Sequence, residues 1–536
     1  MKNINDVSSV TVSAAFLLGA MFLCGAAWGQ EPAPELDLED YQIIGRDTRV
    51  FRITGDRIST VSFVAAPVEL SEEERSTETS QGLIGNDERI RREERFEPVK
   101  GGYLRAEVTA GSRTVADLWG KASLDMGSTG ATIAIVNRMA EENTPANAPP
   151  SIVDIDLAGF SGGTGTRYTA ELGFDRKSEE LFGERFRDRD REAGRYRAGL
   201  TMRTGLGKSW DVAAKARVRG GGYKDNELAF EEDEFAFEGG FDAVGELFGV
   251  TVESETNADY YKLGDDSGTY FSTGARGIWL LWGGFGVLVG ANLFVSAMPD
   301  EDTEVRFYPE GRLEWALTRS SYVTAAFKPG VVPYSFGDIY GINALAFPVS
   351  MAFEDRKIAI EGEYGWRFRP GALLTAGMSY RQSDNSLVFN RFGDFFAVIG
   401  DASVDVTAYK VGALYDTNGV WGFDGEFAVN SASWDKNGEV PCVPLVESRI
   451  DGYWRPHGKW ILRGALTVMG EHHVEMGKND IVDPFFSVDC GVERELLRYL
   501  DLYFNVRNLT NSEGSWWTDM YGIPGTGLYA GLKARY

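Results

Sequence analysis

The side chains able to do chemistry are few. The chain has three histidines, His457, His472 and His473. His472 and His473 are neighbours flanked by Glu471 and Glu475, a metal-ligand composition. Adjacent positions of an extended chain point to opposite sides, however, so a solvated loop is the better reading. Neither Gly-x-Ser-x-Gly nor His-Glu-x-x-His occurs. The expectation is a protein that is not an enzyme, with no catalytic residue, no cofactor and no metal. Of the cysteines, Cys24 lies in the apolar N-terminal run. Cys442 is placed on a loop, and Cys490 on an outward face with Phe486, Val488 and Val492. That separation is too wide for a disulfide. The charged residues with a regular setting are Arg105, Glu107, Glu361, Glu363, Arg367, Arg381, Arg463, Asp501, Arg507, Lys533 and Arg535. Each alternates with apolar neighbours. Such residues pair across strands to hold a wall, or line a polar path and set its selectivity.

The alternation defines the elements. In Leu500–Arg507, Leu500, Leu502, Phe504 and Val506 take one face, and Asp501, Tyr503, Asn505 and Arg507 the other. Ile358–Phe368 and Trp460–Val468 behave alike. Period two is the signature of strands. These strands are about ten residues long, the length of a tilted membrane-spanning strand. About 22 of them are counted (roughly 16–22), too many for one soluble sandwich. Trp119, Trp282, Trp454, Trp460 and Tyr536 sit near strand ends, as interfacial girdles require. The uncharged run Gly277–Met298 has the length of a membrane helix, but Gly283-Gly284 divides it, and it reads as a hairpin.

Short turns such as Arg369–Gly371 and Arg455–Gly458 alternate with longer connections. The latter include Asp175–Glu192, Val331–Lys357, Asp384–Ser403 and Gly470–Asp483. Lipid offers no hydrogen bonds, so a sheet within it must close. The expected fold is therefore all-β: a transmembrane antiparallel β-barrel over residues 100–536. The last strand carries Gly531, Ala534 and a terminal Tyr536, like an outer-membrane assembly signal, which makes the barrel assembly machinery and membrane lipid the expected partners.

Before the barrel, residues 1–29 read as a secretory signal peptide, with Lys2, an apolar core and Ala27-Trp28-Gly29 at the cut. Residues 30–99 read as a periplasmic extension, ending in the charged run Ser71–Arg95. The formal charge of −26 argues against nucleic acid, which needs a basic surface.

The segment Leu500–Tyr536, with Asn508-Leu509 and Pro524-Gly525 before the final strand, resembles the end of TonB-dependent receptors. Gly101–Gly120 resembles their first barrel hairpin, and Pro333–Tyr340 with Met351–Glu363 and Gly377–Asn385 a mid-barrel stretch. Thr526 stands where the family usually has Arg. The resemblance implies an outer-membrane transporter of a Gram-negative cell. Residues 30–99 leave no room for the family's plug, so a plugless relative is expected. Asp40, Tyr41, Gln42, Ile43, Ile44 and Gly45 resemble the segment that contacts TonB; a stray strand, or a contact to another periplasmic or outer-membrane protein, is the alternative. Two functions follow: a transport channel for small solutes, or a structural barrel that binds a partner protein in an outer-membrane assembly.

Overall fold

In the computed structural model, the described residues are 101–535 apart from 112–113, 127–128, 141–150, 163–164, 181–189, 208, 226–229, 282–283, 298–302, 337–338, 340–350, 370, 387, 393–394, 400–402, 417–419, 435–437, 442, 474–480 and 513–525. The signal peptide, the extension, the Asp40–Gly45 segment, Trp282, Cys442 and Tyr536 lie outside them.

The first half of the wall runs β1 (Gly101–Gly111), β2 (Thr114–Asp125), β3 (Thr129–Ala140), β4 (Ser151–Gly162), β5 (Thr166–Glu180), β6 (Asp190–Leu206), β7 (Trp210–Asp225), β8 (Phe230–Leu247), β9 (Val250–Leu263), β10 (Asp266–Leu280), β11 (Phe285–Ala297) and β12 (Glu304–Thr318). Then come β13 (Ser321–Phe327), β14 (Gly330–Ser335), β15 (Met351–Arg369), β16 (Ala372–Asp384), β17 (Val388–Phe392), β18 (Phe395–Ile399), β19 (Val404–Asp416) and β20 (Trp421–Trp434). The chain ends with β21 (Gly438–Glu439), β22 (Val446–His457), β23 (Trp460–Met469), β24 (His472–His473), β25 (Ile481–Val482), β26 (Phe485–Leu497), β27 (Leu500–Arg507) and β28 (Gly527–Arg535).

Each wall strand pairs antiparallel with the next, and β1 pairs with β28 from Arg105↔Arg535 to Gly111↔Tyr529, which closes the sheet. Counting β13 and β14 as one interrupted strand, and setting aside the short β21 and the hairpins β17–β18 and β24–β25, the wall is a 22-strand antiparallel barrel. Closure pairs the backbone groups an open edge would leave bare, as a membrane requires.

Polarity is inverted relative to a soluble protein. On β27, Leu502 and Phe504 are 44% and 43% exposed, whereas Asp501 and Tyr503 are 4% and 3% exposed. Apolar side chains turn outward all round the wall: Val108, Leu172, Phe241, Val289, Tyr364 and Phe427 are all exposed. This belt and the closed sheet place the chain in an outer membrane. Trp279, Trp315, Trp366, Trp421, Trp454 and Trp460 form an exposed aromatic girdle next to the short turns. β10 and β11 pair antiparallel as the expected hairpin, with Gly284 at φ +73°, open to glycine.

Four sequence expectations are corrected. Trp119 is not in the girdle: it pairs with Glu107 and shares its inward face. Asp175–Glu192 is not all connection, because β5 continues to Glu180 and β6 starts at Asp190. Cross-strand charge pairs such as Arg176–Glu192 (3.2 Å) suit a strand that rises beyond the lipid into water on both sides. Asp384–Ser403 contains the hairpin β17–β18. Val331–Lys357 contains β14 and the start of β15.

The interruption before β14 has a local cause. β12 pairs with β13 only as far as Gly311↔Phe327. Continuing that register would set Pro309 against Pro329. Lys328 donates its N–H to the carbonyl of Ala359 on β15 at 2.9 Å, so the next donor would have to point at β12. Proline has none, and neither has Pro309, so the ladder stops. β14 then pairs with β15 alone among the described strands, and leans into the lumen.

Candidate functional site

The interior is the surface that a membrane barrel reserves for function. Its wall is laced by ion pairs between strands one or two apart. Arg197 lies within ion-pair distance of Asp154, Asp156 and Asp175. Arg276 reaches Glu253 at 2.8 Å, Glu255 at 3.5 Å and Glu310 at 3.7 Å. Arg217 bridges Glu171 and Glu238.

The residues singled out in the sequence fall into two groups. Around the closure seam, Lys533 stands opposite Asp501 on β27 and Glu107 on β1. Its Nζ donates to Glu493 at 2.8 Å, and Arg463 approaches the same carboxylate at 3.5 Å. Arg507 lies 4.5 Å from the centre of the Tyr529 ring. Arg105 and Arg535 face each other in the closing register. Gly531 makes this seam possible, because a Cβ there would collide with the Tyr503 ring. Ala534 pairs with Ala106 and Leu500. The second group, Glu361, Glu363, Arg367 and Arg381, lies on β15 and β16. Tyr322 donates to Glu363 at 2.9 Å, and Arg381 reaches Glu354 at 3.4 Å. Cys490 is exposed and free, in the middle of β26, on the outward face expected from the sequence.

A cavity of about 280 Å³ lies on one side of the lumen, and of the sequence-predicted residues only Glu361 and Arg381 line it. One flank is made by Tyr270, Phe294 and Arg276 with Gly330–Val332, the other by Lys410, Glu426, Asn430 and Glu447. Lys410 and Glu426 are 3.7 Å apart across β19 and β20. Val443, which also lines the cavity, packs against a buried group of Val388, Val404, Val406 and Val440. The cavity is thus walled by charges of both signs and flanked by apolar packing, at the small end of the range for ligand pockets. Sequence reasoning missed Glu493, Glu354 and Asp355, whose neighbours become visible only once the register is known.

Inward aromatics form a shelf on four successive strands. Tyr261 of β9, Tyr270 of β10, Phe294 of β11 and Tyr308 of β12 meet Ala236 of β8, Val331 of β14 and Phe353 of β15 in one cluster. No known family model matches the chain, and no curated protein matches it. Solved structures do match. The siderophore receptor PiuA from Acinetobacter baumannii is 12% identical, with 82% of each chain covered and a TM-score of 0.62. The copper transporter OprC is 13% identical, covering 82% of this chain and 81% of that one, with a TM-score of 0.66. The FrpB iron transporter from Neisseria meningitidis is 10% identical, covering 83% and 82%, also at 0.66. The chain has the TonB-dependent receptor barrel fold. The strand count and the closure of β1 on β28 are as the alternation of the sequence and the closure argument implied. At such identities the likeness is one of fold, and the lumen side chains are the chain's own.

Proposed function

We propose that this receptor-type barrel is a transport channel for small solutes in the outer membrane, working without a folded plug and without catalysis. The observation that supports this most is the small cavity of about 280 Å³ with charged walls of both signs. Such a lining solvates a polar solute without holding it tightly, as conduction requires. The proteins of similar fold are described as a siderophore receptor, a copper transporter and an iron transporter. Residues 30–99 act in this reading as a periplasmic arm, with Asp40–Gly45 as its contact to TonB.

The test is single-channel conductance in planar bilayers, for the mature chain and for a chain lacking residues 30–99. Discrete steps from the mature chain support the channel. A larger step after the deletion means that the arm plugs its own barrel. Silence from both chains, with the barrel shown to be folded, removes the channel reading and leaves a barrel that binds a partner protein.

A further inference from the structure

The sequence pattern places polar residues inside the barrel and apolar ones outside, yet Tyr261, Tyr270 and Tyr308 point inward and are only 5%, 6% and 9% exposed. In an open lumen these rings would be wet. They are dry because β14 covers them. Val331, itself 7% exposed, and Phe353, 8% exposed, complete the cluster. The Tyr270 ring stacks on Phe353 with centroids 5.8 Å apart, and its hydroxyl donates to the carbonyl of Val331 at 3.3 Å. A Cβ at Gly330 would lie 3.2 Å from the Phe294 ring, so the backbone of β14 passes directly over β11. Further along, Phe336 meets the Tyr223 ring of β7 edge-on at 4.6 Å, beside Ala193 of β6 and Leu263 of β9. The segment Gly330–Phe336 therefore crosses the inner faces of strands from β12 back to β7.

Its root is clamped on both flanks. Asp355 accepts a hydrogen bond from Tyr308 and pairs with Arg306 at 3.1 Å, both on β12. The adjacent Glu354 takes Arg356 at 3.0 Å, Arg381 of β16 at 3.4 Å and the Tyr334 hydroxyl at 3.0 Å. Both carboxylates are buried, and each is held by cations or hydroxyls from different strands, so the segment has fixed anchorage at its base.

We propose that Gly330–Phe336, with the first residues of β15, is an internal strap that narrows the barrel and sets the size of solute it passes. A barrel's width follows its strand number, and the strap takes away the part of the lumen that runs along β7–β12. The remaining path passes between Val332, Arg356 and Arg381 on one side and Lys410, Glu426 and Glu447 on the other. The paired prolines 309 and 329 are the device that frees the strand from the wall.

The strap rests on the channel reading, and the experiment separates the two. Val331→Asp puts a charge onto the aromatic shelf and unseats the strap, while Phe294→Ala removes the ring beneath Gly330. Two variants at different strands guard against one failing to fold, and folding is scored by the heat-dependent gel shift of a closed barrel. Conductance and the cut-off for neutral polymers are read for wild type and variants. The expected result is a conductance higher by about two-fold or more, and admission of larger polymers. Variants that conduct where the wild type is silent support the strap equally. Equal conductance and equal cut-off overturn the strap while leaving the channel standing. Silence from all folded chains overturns both.

Discussion

Glu493→Gln isolates the question of what the interior charges do. Glu493 sits on β26 and is 8% exposed. It receives Lys533 from β28 at 2.8 Å and Arg463 from β23 at 3.5 Å. It thereby ties together strands that flank the closure seam. At these distances and an effective dielectric of about 20, each contact has a gross Coulomb energy of about 5–6 kcal/mol. Most of that is offset by the desolvation of the charges. Removing one partner of a buried pair nonetheless costs about 3–5 kcal/mol, since the other charge stays behind. Lumen water relieves part of this, so the expected loss is about 2–3 kcal/mol. Lys533 keeps Asp501 and Glu107 opposite it and stays 4.8 Å from the Tyr503 ring. Arg463 is the cation that loses most. Adding Arg463→Met to Glu493→Gln should then recover at least about 1 kcal/mol. The assay is equilibrium unfolding by guanidinium in lipid vesicles, followed by tryptophan fluorescence. A single variant within about 0.5 kcal/mol of wild type, or a double variant no better than the single, refutes the claim that this triad holds the wall. Altered ion selectivity at unchanged stability would assign these charges to the solute path instead.

Three further outcomes follow from the register. Phe504→Arg places a cation on the lipid face of β27 and should cost about 2–4 kcal/mol, read by the same unfolding assay; a neutral effect would mean the face is not in lipid. Gly365→Ala builds a Cβ into the Tyr322 ring and displaces its hydroxyl from Glu363. A loss of about 1–3 kcal/mol is expected, and full stability would show that the ring is free to move. Cys490, exposed on the outward face, should react with a membrane-soluble thiol reagent and resist a charged, water-soluble one. Rapid labelling by the charged reagent would place it in water and break the register of β26.

What the sequence made legible was the property every strand repeats. Alternation in Leu500–Arg507 or Ile358–Phe368 needs no partner to be seen, and a sum over many strands gave both the barrel and its size. What it hid depends on relations between strands. Trp119 looked like an interfacial residue because it is aromatic and near a strand end; only its pairing with Glu107 turns it inward. Arg463, Asp501 and Lys533 were recognisable as inward charges, but Glu493, which joins two of them, was not singled out, since alternation alone puts Glu495 on the same face. The charged ends of β5 and β6 read as loop because lipid-facing periodicity ends where the strands leave the membrane, although their hydrogen-bond ladder does not.

The strap is the case where the rule of apolar outside and polar inside fails locally, and the failure carries the information. One inward tyrosine in a wet lumen is tolerable, as its hydroxyl faces water. Inward aromatics on four successive strands, packed in one cluster, are not, because together they present an apolar patch that water would have to cover. Such a patch persists only against a partner surface. Here that surface is Val331 and Phe353 of the same chain, and it is available only because the wall loses its ladder at Pro309 and Pro329. Two prolines more than a dozen residues apart carry no signal in a linear reading, and their effect appears when strand pairing sets them face to face. Restoring a donor at one of them, by Pro329→Ala, should therefore favour the return of β14 to the wall beside β12. That return would strip the shelf of its cover and widen the path, so a higher conductance from a more regular barrel is the signature of the strap.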